Sequence, residues 1–175
     1  MPLSPRSLTQ IRCFLLDMDG TFYLGDRLLP GALEFIETIT ARGQDFLFLT
    51  NNSSKNRGEY AKKITRLGLP LEESRVFTSG EAAALHLSSL HPAARLYVVG
   101  TSALEVEFRQ AGFILVEDAP DWVVLGFDTT LTYGKLWRLC DFVRAGAPYL
   151  ATHPDLNCPA PHGFMPDIGA MIAFV

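Results

Sequence analysis

Cys13-Phe14-Leu15-Leu16-Asp17-Met18-Asp19-Gly20-Thr21 is the stretch on which the reading of this chain turns. Four apolar residues in a row, bounded by polar ones, read as a strand buried on both faces, the kind found inside parallel sheets. Asp17 and Asp19 then stand at its carboxyl end, the edge at which open α/β sheets bind ligands. Residues two apart on an extended chain point the same way, so the two carboxylates share a side. An acidic turn is the ordinary alternative, because Asp and Gly are both turn residues. At average residue usages D-x-D-G-T arises by chance about once in a hundred thousand starts, and less often directly after an apolar run. An EF-hand loop also opens D-x-D, but it needs Gly at position six and Glu at position twelve. Phe22 and Leu28 occupy those positions here, so the pair is read as phosphoryl or metal chemistry rather than as a turn or a calcium loop.

Working outward, a glycine-punctuated stretch from Phe22 to Leu29 leads to Pro30-Gly31, after which Ala32, Leu33, Phe35, Ile36 and Ile39 recur at helical spacing as far as Gly43. Gly at that point is a helix terminator. Phe46-Leu47-Phe48-Leu49 is a second apolar run, ending in Thr50-Asn51-Asn52. Strand, helix, strand is a βαβ unit with a right-handed crossover, which brings Thr50 beside Asp17 at one sheet edge. A helix is predicted over 56–67, a strand over 76–78 and a helix over 80–90. The alternation then starts afresh, with strands over 96–99, 113–115, 122–125 and 149–151 and helices over 103–111 and 131–145. Strand-helix alternation throughout predicts an α/β protein with parallel sheets. A boundary near Ser79 divides it into residues 1–79 and residues 80–175.

The chain has 175 residues, 48% hydrophobic and 19% charged, which is the composition of a globular protein. Its net charge of -4 argues against a nucleic-acid surface. No apolar run is long enough to span a bilayer, and 1–10 lacks the apolar core of a signal peptide, so the expected location is the cytoplasm, without membrane partners. Cys13, Cys140 and Cys158 are odd in number and widely spaced, which suggests neither a disulfide framework nor a zinc knuckle, and Cys13 reads as a small core residue.

Two carboxylates in one pocket raise one another's pKa, so they either share a proton or bind a cation. Magnesium binds through one or two carboxylates and keeps waters for substrate phosphate. With a proton instead, one carboxyl is a nucleophile and the other a general acid and base. Thr50 offers a hydroxyl, and Asn51 and Asn52 offer amide donors, to a phosphoryl group. Lys55, Arg57, Lys62, Lys63 and Arg66 read as the solvated face of a helix, with Lys55 and Arg57 the exceptions most open to a site role. His86 and His91 lack a carboxylate at metal-ligand spacing and read as surface or packing residues. His153 ends a strand near Asp155 and reads as a substrate contact rather than a metal ligand. No G-x-S-x-G elbow, Walker loop or dinucleotide fingerprint occurs.

Asp17-Met18-Asp19-Gly20-Thr21, with Leu49-Thr50-Asn51-Asn52 closing the next strand, resembles the haloacid dehalogenase superfamily of phosphohydrolases. Leu125-Gly126-Phe127-Asp128, Ala151-Thr152-His153-Pro154-Asp155 and Pro166-Asp167-Ile168-Gly169-Ala170 are similar to its NagD-like, or para-nitrophenyl phosphatase, branch. The resemblance implies the N-terminal part of a Rossmann-like core over 1–79 and an inserted α/β cap of the C2 type over 80–175. It implies that Asp17 attacks phosphorus and binds Mg2+, and that Asp19 is general acid and base and a further metal ligand through its backbone carbonyl. Thr50, helped by Asn51, would hold the phosphoryl group, beside the Asn52 amide read above as a further donor, and the cap segment near His153 and Asp155 would face the leaving group. The branch commonly has Asn where this chain has His153. The substrate implied is a small phosphorylated metabolite, and similar proteins form homodimers through the cap.

The family's third motif, a lysine, and its fourth, an acidic metal-binding loop, lie downstream of the cap, and neither follows Asp167. Residues 168–175 read as the opening of a helix without a capped end, so the expectation is a chain cut short. The main reading is a magnesium-dependent phosphatase working through an aspartyl phosphate. The alternative is a catalytically impaired phosphate- or protein-binding remnant. A phosphoacceptor receiver domain is disfavoured, because the alternation continues past residue 96.

Overall fold

The computed structural model describes residues 10–160 and 162–175. Strand β1 (Cys13–Asp17) leads into a hairpin of β2 (Tyr23–Leu24) and β3 (Arg27–Leu28), followed by α1 (Ala32–Ala41) and β4 (Asp45–Thr50). Helix α2 (Arg57–Arg66), a short 3-10 turn (Glu73–Arg75) and β5 (Val76–Thr78) complete a parallel three-stranded sheet in the order β1-β4-β5. The right length and cap chemistry explain α2: Asn56 accepts from the Glu59 amide while the Glu59 side chain accepts from the Asn56 amide, a reciprocal capping box.

After α3 (Ser79–Leu90) come β6 (Arg95–Val99), α4 (Ser102–Gln110), β7 (Ile114–Leu115), β8 (Trp122–Leu125), α5 (Tyr133–Arg144) and β9 (Tyr149–Ala151). These strands form a second, four-stranded parallel sheet in the order β7-β6-β8-β9. A hairpin of β10 (Asn157–Ala160) and β11 (Gly163–Pro166) and the short α6 (Ile168–Ile172) follow. The alternation read from the sequence is thus an α/β fold with parallel sheets. No helix among the described residues is long and apolar enough to cross a membrane.

Each sheet has its own core. Phe22, Tyr23, Phe48, Tyr60 and Ile64 are buried together with Met18 against the first sheet. Ala83, Leu87, Leu96, Leu104, Phe108 and Val124 fill the α3/α4 side of the second, and Tyr97, Val99, Leu125, Leu139 and Ile168 fill its other side. A fully buried side chain of this size stabilises by about 1.5–3 kcal/mol. The second sheet therefore matches its continuous apolar strands, with helices on both faces.

The first strand departs from the sequence reading. Among the described residues β1 pairs only with β4, at the edge of its sheet, and its burial alternates. Phe14 and Leu16 pack on the core, whereas Leu15 is 63% exposed and Cys13 is exposed as well. Two-sided burial and a core role for Cys13 are therefore corrected: an apolar run reports a strand but not how many of its faces are covered.

Leu104 of α4 is wrapped by three glycines. A Cβ on Gly80 would lie 2.6 Å from its Cδ1, one on Gly100 would lie 2.6 Å from its Cδ2, and one on Gly126 would overlap Cδ2 outright. Leu104→Ala is expected to cost about 3 kcal/mol through the cavity it leaves. Gly126→Ala alone should also destabilise by about 1–3 kcal/mol, through overpacking. Combined, the two should cost clearly less than their sum, because truncating Leu104 removes the clash. Urea unfolding of the four proteins measures this, and additive losses would show that Gly126 is not constrained by Leu104.

Candidate active site

Asp17 is the last residue of β1, opposite Leu49 in the parallel register, and Thr50 ends β4 one position further on. The chain then turns about one carbonyl: Met18 O accepts from the amides of Phe22 at 2.9 Å and Tyr23 at 3.1 Å. Gly20, at φ 80°, sits in the left-handed region that this turn requires, and its amide reaches Tyr23 O at 2.7 Å. The same turn lets Thr21 Oγ1 donate to Asp17 Oδ2 at 2.9 Å and Tyr23 Oη donate to Asp19 Oδ2 at 3.3 Å. Asp17 keeps one oxygen free of Thr21 and faces solvent, while Asp19 is half-buried.

That difference in environment separates two chemically identical groups. Burial raises the Asp19 pKa above the ordinary carboxylate value, and the charge of Asp17 adds to this. Lys63 and the Tyr23 hydroxyl act in the opposite direction. Lys63 projects from α2, with its Nζ 3.7 Å from the centre of the Tyr23 ring, a cation–π contact. Burial lowers its pKa and Asp19 partly restores it. An acid held toward its protonated form is the state a proton donor needs.

The loop after β4 is rigidly built. Thr50 is buried, and its Oγ1 accepts from the Asn52 amide at 3.1 Å, which leaves the hydroxyl proton to donate. Asn52 Oδ1 accepts from the Ser54 amide at 3.0 Å, and Asn52 O accepts from Tyr60 Oη at 3.0 Å. Asn51 Nδ2 donates to Asp155 Oδ2, and Asn51 O accepts from Ser79 Oγ at 2.5 Å. Asp17 and Thr50 thus stand at adjacent strand ends, and the loop that follows Thr50 is tied through Asn51 to Asp155. His153 is placed differently: it is buried, with Nε2 2.8 Å from Asp167 Oδ1. Its imidazole is engaged inside the protein, where the sequence reading had it facing substrate.

Four residues packed about this edge carry no motif of their own. Lys63 and Tyr60 are three apart on α2, so the charge run read as a solvated face has one member turned inward. Tyr23 lies four residues after Asp19. Ser53 is fully buried although flanked by polar residues. Of the two basic residues singled out on the sequence, Arg57 pairs with Glu81 rather than with the acids, and Lys55 Nζ lies 6.0 Å from the Tyr60 ring centre.

The exposed Asp17 can supply one of the one or two carboxylates that magnesium takes from a protein, with room for water and phosphate on its open side. Residues 14–114 match the model of the haloacid dehalogenase-like hydrolase family. The chain belongs to this family. Among its relatives is an acid sugar phosphatase of Staphylococcus aureus, 34% identical over 169 residues, which are 96% of this chain and 65% of the relative. A 4-nitrophenylphosphatase from Thermotoga maritima superposes with a TM-score of 0.92 at 46% identity, covering 95% of this chain and 64% of that one. A glycerol phosphate phosphatase from Mycobacterium tuberculosis, in complex with magnesium, gives 0.87 at 34% identity over 94% of this chain and 51% of its own. The NagD-like resemblance of the sequence and the Rossmann-like core are both supported by these neighbours and by a further structure described as nagD-like, with a TM-score of 0.91 at 45% identity over 94% of this chain and 65% of its own. This haloacid dehalogenase-like chain therefore spans about two thirds of the length of the curated relatives it matches.

Beside the Thr50 loop lies a second acidic group that the dehalogenase-like site does not use. Thr78 Oγ1, which accepts from the Glu81 amide, is 3.0 Å from Glu107 Oε1 on α4, and Arg57 neutralises Glu81. Burial, with Glu81 adding, pushes the Glu107 pKa up to about 7 against the opposing effects of Thr78 and Arg57. Between about 4.5 and about 7 the native carboxyl is thus protonated and the unfolded one ionised. The unfolded chain binds fewer protons there, so Glu107 makes stability fall as pH rises through that window. Urea unfolding at a series of pH values should show this fall, and Glu107→Gln should flatten it; an unchanged slope would remove Glu107 as its source.

Proposed function

We propose that this protein is a magnesium-dependent phosphohydrolase that removes phosphate from a small phosphorylated metabolite through an aspartyl phosphate on Asp17. The observation that carries the proposal is the placement of Asp17, Asp19 and Thr50 at adjacent ends of two parallel strands. In this reading the core comprises residues 1–79 and the cap residues 80–175. The names of the relatives point to sugar phosphates, glycerol phosphate and aryl phosphates as the substrate class.

Thr21 holds one Asp17 oxygen, and the other attacks phosphorus. As the new O–P bond forms, the bond from phosphorus to the leaving oxygen breaks, and Asp19 supplies the proton that oxygen needs. Asp19, now ionised, takes a proton from water, which attacks the aspartyl phosphate and releases inorganic phosphate and free Asp17. Thr50 and Asn51 donate hydrogen bonds to the equatorial oxygens, where charge accumulates. Magnesium, held by Asp17 and Asp19, would neutralise charge on the phosphoryl group when bound. Asn51 and Asp155 join the loop to the segment that faces the leaving group.

Phosphate release from 4-nitrophenyl phosphate with magnesium is the measurement. Asp17→Asn should abolish it, and Asp19→Asn should lower it by about 100-fold or more, in the range of a lost general acid. Turnover retained by Asp17→Asn would sink the nucleophile assignment. Phosphate binding without any turnover by the wild type would instead identify a binding module.

A further inference from the structure

The carboxyl edges of the two sheets meet at Ser53 and Ser54. From the end of β6, Thr101 Oγ1 donates to Ser54 O at 2.8 Å. From the loop after β8, the Phe127 amide donates to Ser53 Oγ at 2.8 Å. From the end of β9, Thr152 Oγ1 lies 2.9 Å from Ser53 Oγ. Ser53 is fully buried, so its hydroxyl has no water to turn to.

Hydrogen-bond bookkeeping gives these contacts a direction. A hydroxyl has one proton. Ser53 Oγ already accepts from Phe127, and Thr152 Oγ1 lies between it and His153 Nδ1, 3.4 Å away. If Ser53 donates to Thr152, Thr152 donates to Nδ1, and the imidazole proton must then sit on Nε2. Nε2 faces Asp167 Oδ1 at 2.8 Å, a carboxylate oxygen that can only accept and that also takes the Ile168 amide at 2.7 Å. Every donor has an acceptor in this one direction.

We propose that Ser53, Thr152, His153 and Asp167 form a one-way hydrogen-bond relay that positions the Thr50–Asn52 loop against the second sheet, with His153 as a positioning residue rather than a substrate contact. The far end of the relay is itself anchored: the Asp167 amide donates to Leu156 O at 3.1 Å, and the Gly169 amide donates to Asp155 O at 2.7 Å. Asp155 is the residue that accepts from Asn51. The loop is therefore gripped twice by the same segment, once at the exposed Asn51–Asp155 pair and once through the buried relay. A shift of either sheet edge must break one grip or move the loop with it.

The positioning role rests on the loop binding phosphate as proposed above, whereas the relay does not. Nitrogen-15 spectra of the His153 ring in the full chain should show the proton on Nε2 and an Nδ1 shifted by an accepted hydrogen bond. Thr152→Val should remove that shift, and Thr152→Ser should keep it. Ser53→Ala should speed amide exchange at Phe127 by about tenfold or more relative to the β6 amides. With magnesium present, binding of inorganic phosphate should weaken severalfold in Thr152→Val and stay at the wild-type level in Thr152→Ser. A proton on Nδ1, or a Phe127 amide indifferent to Ser53→Ala, would overturn the relay. Equal phosphate affinity in all the variants would overturn its positioning role. A wild type that binds no phosphate would refute the phosphate reading of the loop, and the ring and exchange data would still decide the relay.

Discussion

Because β1 and β4 run parallel with Asp17 opposite Leu49, the two strand ends arrive together, and whatever follows them is forced into one small volume. Two acids follow the first strand, and a hydroxyl and two carboxamides follow the second. Anions and hydrogen-bond donors so confined need a third species between them. Two carboxylates confined to one site repel, and a proton or a cation relieves that repulsion. The ladder is thus what turns scattered polar residues into a site. Its stability comes from Phe48, Ile64 and Tyr23 packed behind it, not from the site itself.

The second sheet repeats the geometry at its own carboxyl edge and faces it toward the first. Thr101, Phe127 and Thr152 follow three different strands, yet all end on the two serines of a single loop. Close approach there is possible because Gly100 and Gly126 leave Leu104 and Ser53 the space that a Cβ would occupy. Lys135 ties the two segments that carry Thr101 and Phe127 together, its Nζ 2.6 Å from the buried Asp128 Oδ2 and 3.1 Å from Gly100 O. Charge is buried there only where it is both paired and hydrogen-bonded.

What could be read from the sequence follows from how locally each feature is encoded. Asp17, Asp19 and Thr50 were legible because each adjoins an apolar run whose end fixes its position. The hairpins were not, since β2 and β3 are two residues each and β10 contains Pro159, weak signals for strands. The solvent face of β1 escaped notice for a related reason: an apolar run looks the same at a sheet edge as in its middle. His153 and Ser53 depend on partners far away in the chain, Ser53 and Thr152 being 99 residues apart, so no periodicity could have assigned them. His153 looked like a ligand-facing residue because it ends a strand, but its neighbour in space is Asp167.

Asp17 and Asp19 show how environment alone divides labour between identical side chains. Asp17 stands at the open edge with one oxygen held by Thr21, and in the proposed mechanism its other oxygen is the attacking atom. Asp19, two residues on, is drawn under the turn beside the buried Tyr23, where desolvation favours its proton. Lys63, over the Tyr23 ring and with its own pKa lowered by burial, acts on Asp19 in the opposite direction. Buried aromatic, half-buried cation and hydroxyl donor thus act on one carboxyl in opposite senses, burial raising its pKa and the cation and the hydroxyl lowering it, and the proposed mechanism asks that carboxyl both to give and to take a proton.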